Sequence, residues 1–170
     1  MAHPLVEQFR FTRSEWLRGL EGVTEDEATR HLAAMNCISW IVGHLAWHEH
    51  RYWVELAQGV MAYPQLNTIY AYGAPASTPA LAEMLGIWRE VTALADPFLD
   101  TLTTATLQQE LLRNGKAVGQ TMGSALRRIT YHYWFHTGEI QGIRQMLGHT
   151  NLPEYVGNIE TEAPYVPEGA

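Results

Sequence analysis

The chain has 170 residues, 46% of them hydrophobic and 17% charged, with a formal net charge of −7; this balance excludes intrinsic disorder and leads us to expect one domain around one core. No run of 18 apolar residues is present, so no membrane partner is expected, and the lone Cys37 excludes both an internal disulfide and a cysteine zinc ribbon. One lysine (Lys116) and one adjacent basic pair (Arg127–Arg128) leave no basic stripe for nucleic acid, and the start of the chain, with Glu7 and Arg10 in it, does not read as a signal peptide, so a cytoplasmic protein is expected.

The hydrophobic period is helical almost throughout. Leu5, Phe9, Trp16 and Leu20 lie on one face of a first helix, and Thr24-Glu25-Asp26-Glu27 has the form of a capping box opening a short turn. Asn36 or Ser39 is the expected cap of a second long helix reaching Gly59, with Cys37, Ile41, His44, Leu45, His48, Tyr52 and Glu55 on one side. Thr78-Pro79 reads as the cap and first residue of a third helix, striped by Leu81, Leu85, Trp88, Val91, Ala95, Phe98 and Leu102, which Pro97 should kink or interrupt. A fourth helix is expected from Thr121 to Leu147, with Gly148 as C-cap.

No alternating run long enough for a sheet is found. The expectation is an all-α antiparallel four-helix bundle over residues 1–150 and an irregular tail over 151–170 packed on the same domain. The stretch 60–77, between the second and third long helices, is long for a connector and carries Tyr63, Tyr70, Tyr72 and Gly73, as a lid or binding loop does.

Five of the eight histidines fall in two windows, His44, His48 and His50 on the second helix and His132 and His136 on the fourth. His132 and His136, four apart, share one helical face, and that face is the apolar stripe, so both imidazoles should point inward. Two such histidines with a third from a neighbouring helix suit a divalent transition metal; hydrogen-bonded core histidines are the competing reading. Other motifs fail. His48-Glu49-His50-Arg51-Tyr52 starts like HExxH but ends on Tyr52, and no Glu-x-x-His, GxSxG, P-loop or CxxC occurs. Cys37, two turns before His44, reads as a small buried hydrophobe.

The segments Asn36-Cys37-Ile38-Ser39-Trp40-Ile41-Val42-Gly43-His44-Leu45-Ala46 and His132-x-x-x-His136-Thr137-Gly138-Glu139-Ile140-Gln141, with Arg144 and Leu147-Gly148 after it, resemble the second-helix and last-helix signatures of the DinB/YfiT-like superfamily. The resemblance spans about residues 5 to 150. It implies the four-helix bundle, a metal ligand at His44 and the helix-4 ligand pair at His132 and His136, with His48 in reserve. Zinc or nickel is the first expectation for the metal, iron or manganese the second. Members of this superfamily include thiol-dependent transferases and isomerases that use bacillithiol, mycothiol or glutathione, and many are homodimers.

Three protein ligands leave coordination positions open, which is how catalytic sites differ from structural ones. The resulting expectation is a metal-dependent enzyme that activates a low-molecular-weight thiol or water, most simply a thiol S-transferase, in a homodimer. Its rivals are a hydrolase and a non-catalytic bundle that binds metal, haem or another small molecule. His48, Glu49, Glu55 and Glu139 are candidates for orienting ligands or moving protons, each against a solvated helix face. Trp47, Tyr52, Trp53 and Tyr133 are candidates to line the cavity, against ordinary core packing.

Overall fold

The computed structural model describes residues 2–167. Helix α1 (Pro4–Arg18) starts on His3, whose Nδ1 accepts from the Leu5 N–H, with Pro4 at the first helical position. Of its expected face, Phe9, Trp16 and Leu20 are buried and Leu5 is exposed. The capping box forms as expected on α2 (Glu25–Ala28): Thr24 accepts from the Glu27 N–H, and Glu27 accepts from the Thr24 N–H. Backbone N–H donation from Thr24, followed by the contact with His149, holds the Glu27 carboxyl at about 2.

Helix α3 (Ile38–Glu49) is buried on every side, and it continues as a π-helical segment, His50–Leu56. Neither Asn36 nor Ser39 caps it. Cys37 occupies that position without capping a backbone N–H; its thiol donates to the Ser77 carbonyl at 3.2 Å and its sulfur lies 3.3 Å from the Ser39 hydroxyl. A helix that is apolar all round has to be central, and α3 packs on α5, α7 and its own π-helical extension.

The stretch 60–77 contains one helical turn, α4 (Leu66–Ile69), with Leu66 and Tyr70 buried and Tyr72 exposed. Helix α5 (Leu81–Leu99) begins after the expected Thr78-Pro79 start, because its first N–H groups are satisfied from elsewhere. The Glu25 carboxylate accepts from the N–H groups of Leu81 and Ala82, each at 2.8 Å. Pro97 lies in its last turn and α5 continues past it to Leu99, so the expected interruption is absent.

A one-turn helix, α6 (Thr104–Leu107), precedes the main departure from the all-helical expectation. Strands β1 (Glu110–Arg113) and β2 (Lys116–Thr121) form an antiparallel hairpin with Arg113 opposite Lys116. Its two-residue turn is Asn114-Gly115, both at positive φ (51° and 73°), which is the type I′ signature that matches strand twist. That dipeptide was the sequence signal for a hairpin, and it is independent of any apolar alternation. The chain is therefore mostly helical with one small sheet.

Helix α7 (Met122–Met146) is capped by Thr121 and stops where expected: Gly148 adopts φ +93°, and the His149 N–H returns to the Arg144 carbonyl at 3.0 Å. It packs against α1, α3 and β2. The tail adds the turn α8 (Ile159–Glu162) and is tied to α1 by Gln8 donating to the Ala163 carbonyl and Arg18 to the Glu154 carbonyl, both at 2.7 Å. Among the described residues, no helix is long and apolar enough to cross a membrane.

One buried polar network reaches each of the four long helices. Arg13 of α1 donates Nε and Nη2 to the two Glu49 oxygens of α3, at 2.7 and 2.6 Å, and Nη1 to Asp96 of α5 at 2.6 Å. The Tyr133 hydroxyl of α7 donates to Glu49 at 2.9 Å and accepts from Trp88 Nε1 of α5 at 2.6 Å. Glu49 is thus fully buried and not on a solvated face. Burial alone would lower the Arg13 pKa, but the Glu49 charge and hydrogen bonds raise it above its ordinary value. Burial, reinforced by Glu49, raises that of Tyr133.

Candidate metal centre

On α3, His44 follows Gly43, which lets the Tyr70 ring lie directly on the helix: a Cβ at Gly43 would meet two Tyr70 ring carbons at 2.8 Å. This close approach brings the Tyr70 carbonyl to His44, whose Nδ1 donates to it at 2.6 Å. A carbonyl only accepts, so His44 carries its proton on Nδ1 and presents a bare Nε2. On α7 the same arrangement recurs, with His136 Nδ1 donating to Glu139 at 2.7 Å, three residues on.

Both Nε2 atoms point at a third. His132 Nε2 lies 3.1 Å from His44 Nε2 and 3.1 Å from His136 Nε2, and one ligand atom from each of the three residues fits within 4.8 Å. His132 Nε2 has at most one proton to donate, so at least one pair of lone pairs faces each other without a proton between them. Convergent lone pairs of this kind want a cation. The spacing agrees: nitrogens bound at the usual ~2.0–2.1 Å to zinc are about 3.3–3.4 Å apart on a tetrahedron and about 2.9 Å apart on an octahedral face, and 3.1 Å lies between. Burial is the main cause that holds His44 at about 4 and His132 at about 3, below the ordinary 6.5 of imidazole. Both are therefore neutral near pH 7, the form that ligates. The three-histidine cluster fits a divalent metal ion.

Residues 8–140 match the family model described as the DinB superfamily. The chain belongs to the DinB superfamily. No protein of curated function matches it. The DinB match includes all three histidines, Gly43 and Glu139.

Around the cluster, His48 sits one turn along α3, its ring centroid 4.1 Å from that of His132 and 4.9 Å from that of His44. It is buried and its Nδ1 has no partner among the described residues; burial and the neighbouring rings push its pKa down, so it too is neutral. Trp47 and Tyr52 border His48, with centroids at 4.6 and 5.9 Å. Trp47 is held by its Nε1 donating to Asn67 at 2.8 Å.

The structure separates other candidates from the cluster. Tyr133, expected as a cavity-lining residue or a core residue, is fully buried in the polar network and packs its edge on Phe9 and Trp16. Trp53 is likewise a core residue, against Phe9 and Phe98. Glu55 pairs with Arg113 of the hairpin at 3.5 Å. Cys37 is buried at the far end of α3 among core residues. Two contributors escaped the sequence reading. The Tyr70 main chain carries no side-chain signal, whereas Gly43 was visible as a glycine immediately before an inward histidine in a buried helix.

Proposed function

We propose that this DinB protein is a divalent-metal-dependent enzyme on an antiparallel four-helix bundle, with His44, His132 and His136 as metal ligands and a low-molecular-weight thiol as its substrate. The observation that carries the reading is the convergence of three imidazole Nε2 atoms, two of them on rings whose Nδ1–H is anchored by an acceptor. Zinc or nickel suits three neutral imidazoles best. Such an ion, when bound, supplies positive charge that favours the thiolate over the thiol and hydroxide over water.

The residues themselves have separate tasks. The Tyr70 carbonyl and the Glu139 carboxylate fix tautomer and ring orientation at His44 and His136. Trp47, Tyr52 and the neutral His48 exclude water on the α3 side without adding charge. His132 is only half-buried and borders an open groove, which favours access by a small molecule over a closed structural site. A homodimer and a cytoplasmic setting belong to the same reading, supported by the low charged fraction and the lone buried cysteine.

Elemental analysis of protein purified without a metal column, beside His44→Ala and His136→Ala, tests it. The expected result is about one transition metal per chain, lost in both variants while far-ultraviolet circular dichroism keeps its helical signal. Absence of metal in the wild type, with no tight uptake of zinc, nickel, iron or manganese, would overturn it.

A further inference from the structure

The groove beside His132 has a charge pattern the metal site does not explain. It has a volume of about 940 Å³ and lies between β2, from Val118 to Thr121, and the outer face of the first turns of α7, within the size range of small-molecule sites. Ser124, Arg128, His132 and His136 follow one another at intervals of four on α7, so they form a single ridge leading to the histidine cluster, each step spanning about 5–6 Å. Arg127 lines the groove beside them, and no carboxylate is among its described lining residues.

Six of the other eight arginines in this acidic chain have a partner, Arg51 lying over the Trp47 and Tyr52 rings; Arg30 and Arg89 have no side-chain hydrogen bond or ion pair among the described residues, but neither lines the groove. Arg10, Arg13, Arg18 and Arg113 each lie within 4.0 Å of a carboxylate, and Arg144 donates to the main-chain carbonyls of Gly19 and Glu21. Among the described residues, the guanidinium groups of Arg127 and Arg128 make neither a hydrogen bond nor an ion pair. Arg128 is nevertheless close enough for its charge to help hold His132 neutral. Two unpaired guanidinium groups beside a groove that ends at the candidate reactive centre are a fork for a planar oxyanion.

We propose that the substrate carries an anionic group, a carboxylate or phosphate, which Arg128 and Arg127 hold about one helical turn from the reacting atom at the histidine cluster. The proposal rests on the metal-centre reading for what the reacting atom meets, but the anion subsite stands on the arginines alone. It makes the groove selective: an uncharged substrate of the same shape would lack the contact that sets its register along α7. An anion held by these arginines also supplies the negative charge that the groove's own residues do not.

Two isosteric thiols separate these statements: 4-mercaptobutyrate, whose carboxylate is four bonds from sulfur, and 4-mercapto-1-butanol, which is neutral. Each is titrated by NMR, which reads millimolar affinities, into zinc-loaded and metal-free protein, for the wild type and for Arg127→Gln/Arg128→Gln. We expect the wild type to prefer the carboxylate by about tenfold, less at high salt. The variant should lose that preference while keeping its zinc content and its affinity for the neutral thiol. Inorganic phosphate is added as a competitor: displacement of 4-mercaptobutyrate by phosphate more readily than by acetate marks a phosphate-type subsite, and the reverse a carboxylate-type one.

If the wild type takes up no zinc, the metal reading fails. A carboxylate preference in metal-free protein that the variant loses still upholds the arginine subsite. Equal affinity for the two thiols in the wild type, no measurable binding of either, or a preference the variant retains, would overturn it.

Discussion

Replacing Gly43 by alanine tests whether the backbone of the 60–77 segment orients a metal ligand. The new methyl group would stand 2.8 Å from Cδ1 and Cε1 of Tyr70, where carbon atoms rest at about 3.5–4.0 Å. The ring therefore has to retreat by roughly 0.7–1.2 Å, and it is buried against Trp40. Overpacking of this kind costs about 1–3 kcal/mol, or a fall in Tm of about 2–12 °C for a chain of this size. The same retreat carries the Tyr70 carbonyl away from His44 Nδ1. A bond of 2.6 Å lengthened by that amount passes the ~3.2 Å limit of a good N–H···O bond. Loss of a partner that orients a ligating histidine weakens metal binding by about 10–100-fold. Chelator competition with zinc should show that loss in Gly43→Ala, and Gly43→Ala/Tyr70→Ala, which removes the ring that clashes, should recover most of the affinity even though its core is less stable. Unchanged zinc affinity in the single variant, or no recovery in the double one, would refute the reasoning.

Three further outcomes follow from the same contacts. Glu49→Ala leaves the Arg13 guanidinium buried without its bidentate partner and should cost about 3–5 kcal/mol in urea unfolding, whereas Arg13→Met/Glu49→Met should recover most of it; a loss below 1 kcal/mol would show that the pair is not desolvated. Glu139→Ala should weaken zinc binding by about 10–100-fold with little change in metal-free stability, since the carboxylate is partly exposed; equal affinity would remove it as the partner of His136. For pH, His44 sits at about 4 in the fold and near 6.5 when unfolded, so the unfolded chain binds more protons in between. Stability of the metal-free protein is complete above pH 6.5 and falls between about 6.5 and 4, by on the order of 3 kcal/mol from this residue, and His132 adds a loss in the same direction. A flat stability profile from pH 7 to 5 would contradict burial of neutral histidines.

The parts of the fold legible in the sequence are those set by local rules. Helix α7 starts at Thr121 and stops at Gly148 because capping and left-handed backbone act within a few residues. The start of α5 lies beyond Thr78-Pro79 because Glu25, 56 residues before Leu81, supplies the carboxylate its first N–H groups need, and no local pattern encodes that. The hairpin is invisible to hydrophobic periodicity for a different reason: its strands are short and mostly exposed, and its signal lies in the Asn114-Gly115 turn. At the site, inward histidines could be read from spacing, but which atoms fix their tautomers could not. Of the two acceptors, Glu139 is a side chain three residues from His136 and was a candidate, while the Tyr70 carbonyl is common to every residue type.

The buried network explains why such a cluster can be held at all. His48 and Glu49 are consecutive, and on a helix consecutive side chains point about 100° apart, so one faces the histidine cluster while the other faces Arg13 and Tyr133. On an ordinary amphipathic helix one of these directions would be solvent. Because α3 is buried all round, both are interior, and each needs its own polar partners. Glu49 thereby ties α3 to α1, α5 and α7 immediately behind the histidines, and α3 and α7 are the two helices whose relative position sets the 3.1 Å separations. A shift of about 1 Å between them would misplace every ligand atom together, so the expected destabilisation in Glu49→Ala should bring a loss of zinc affinity with it, although Glu49 touches none of the three histidines.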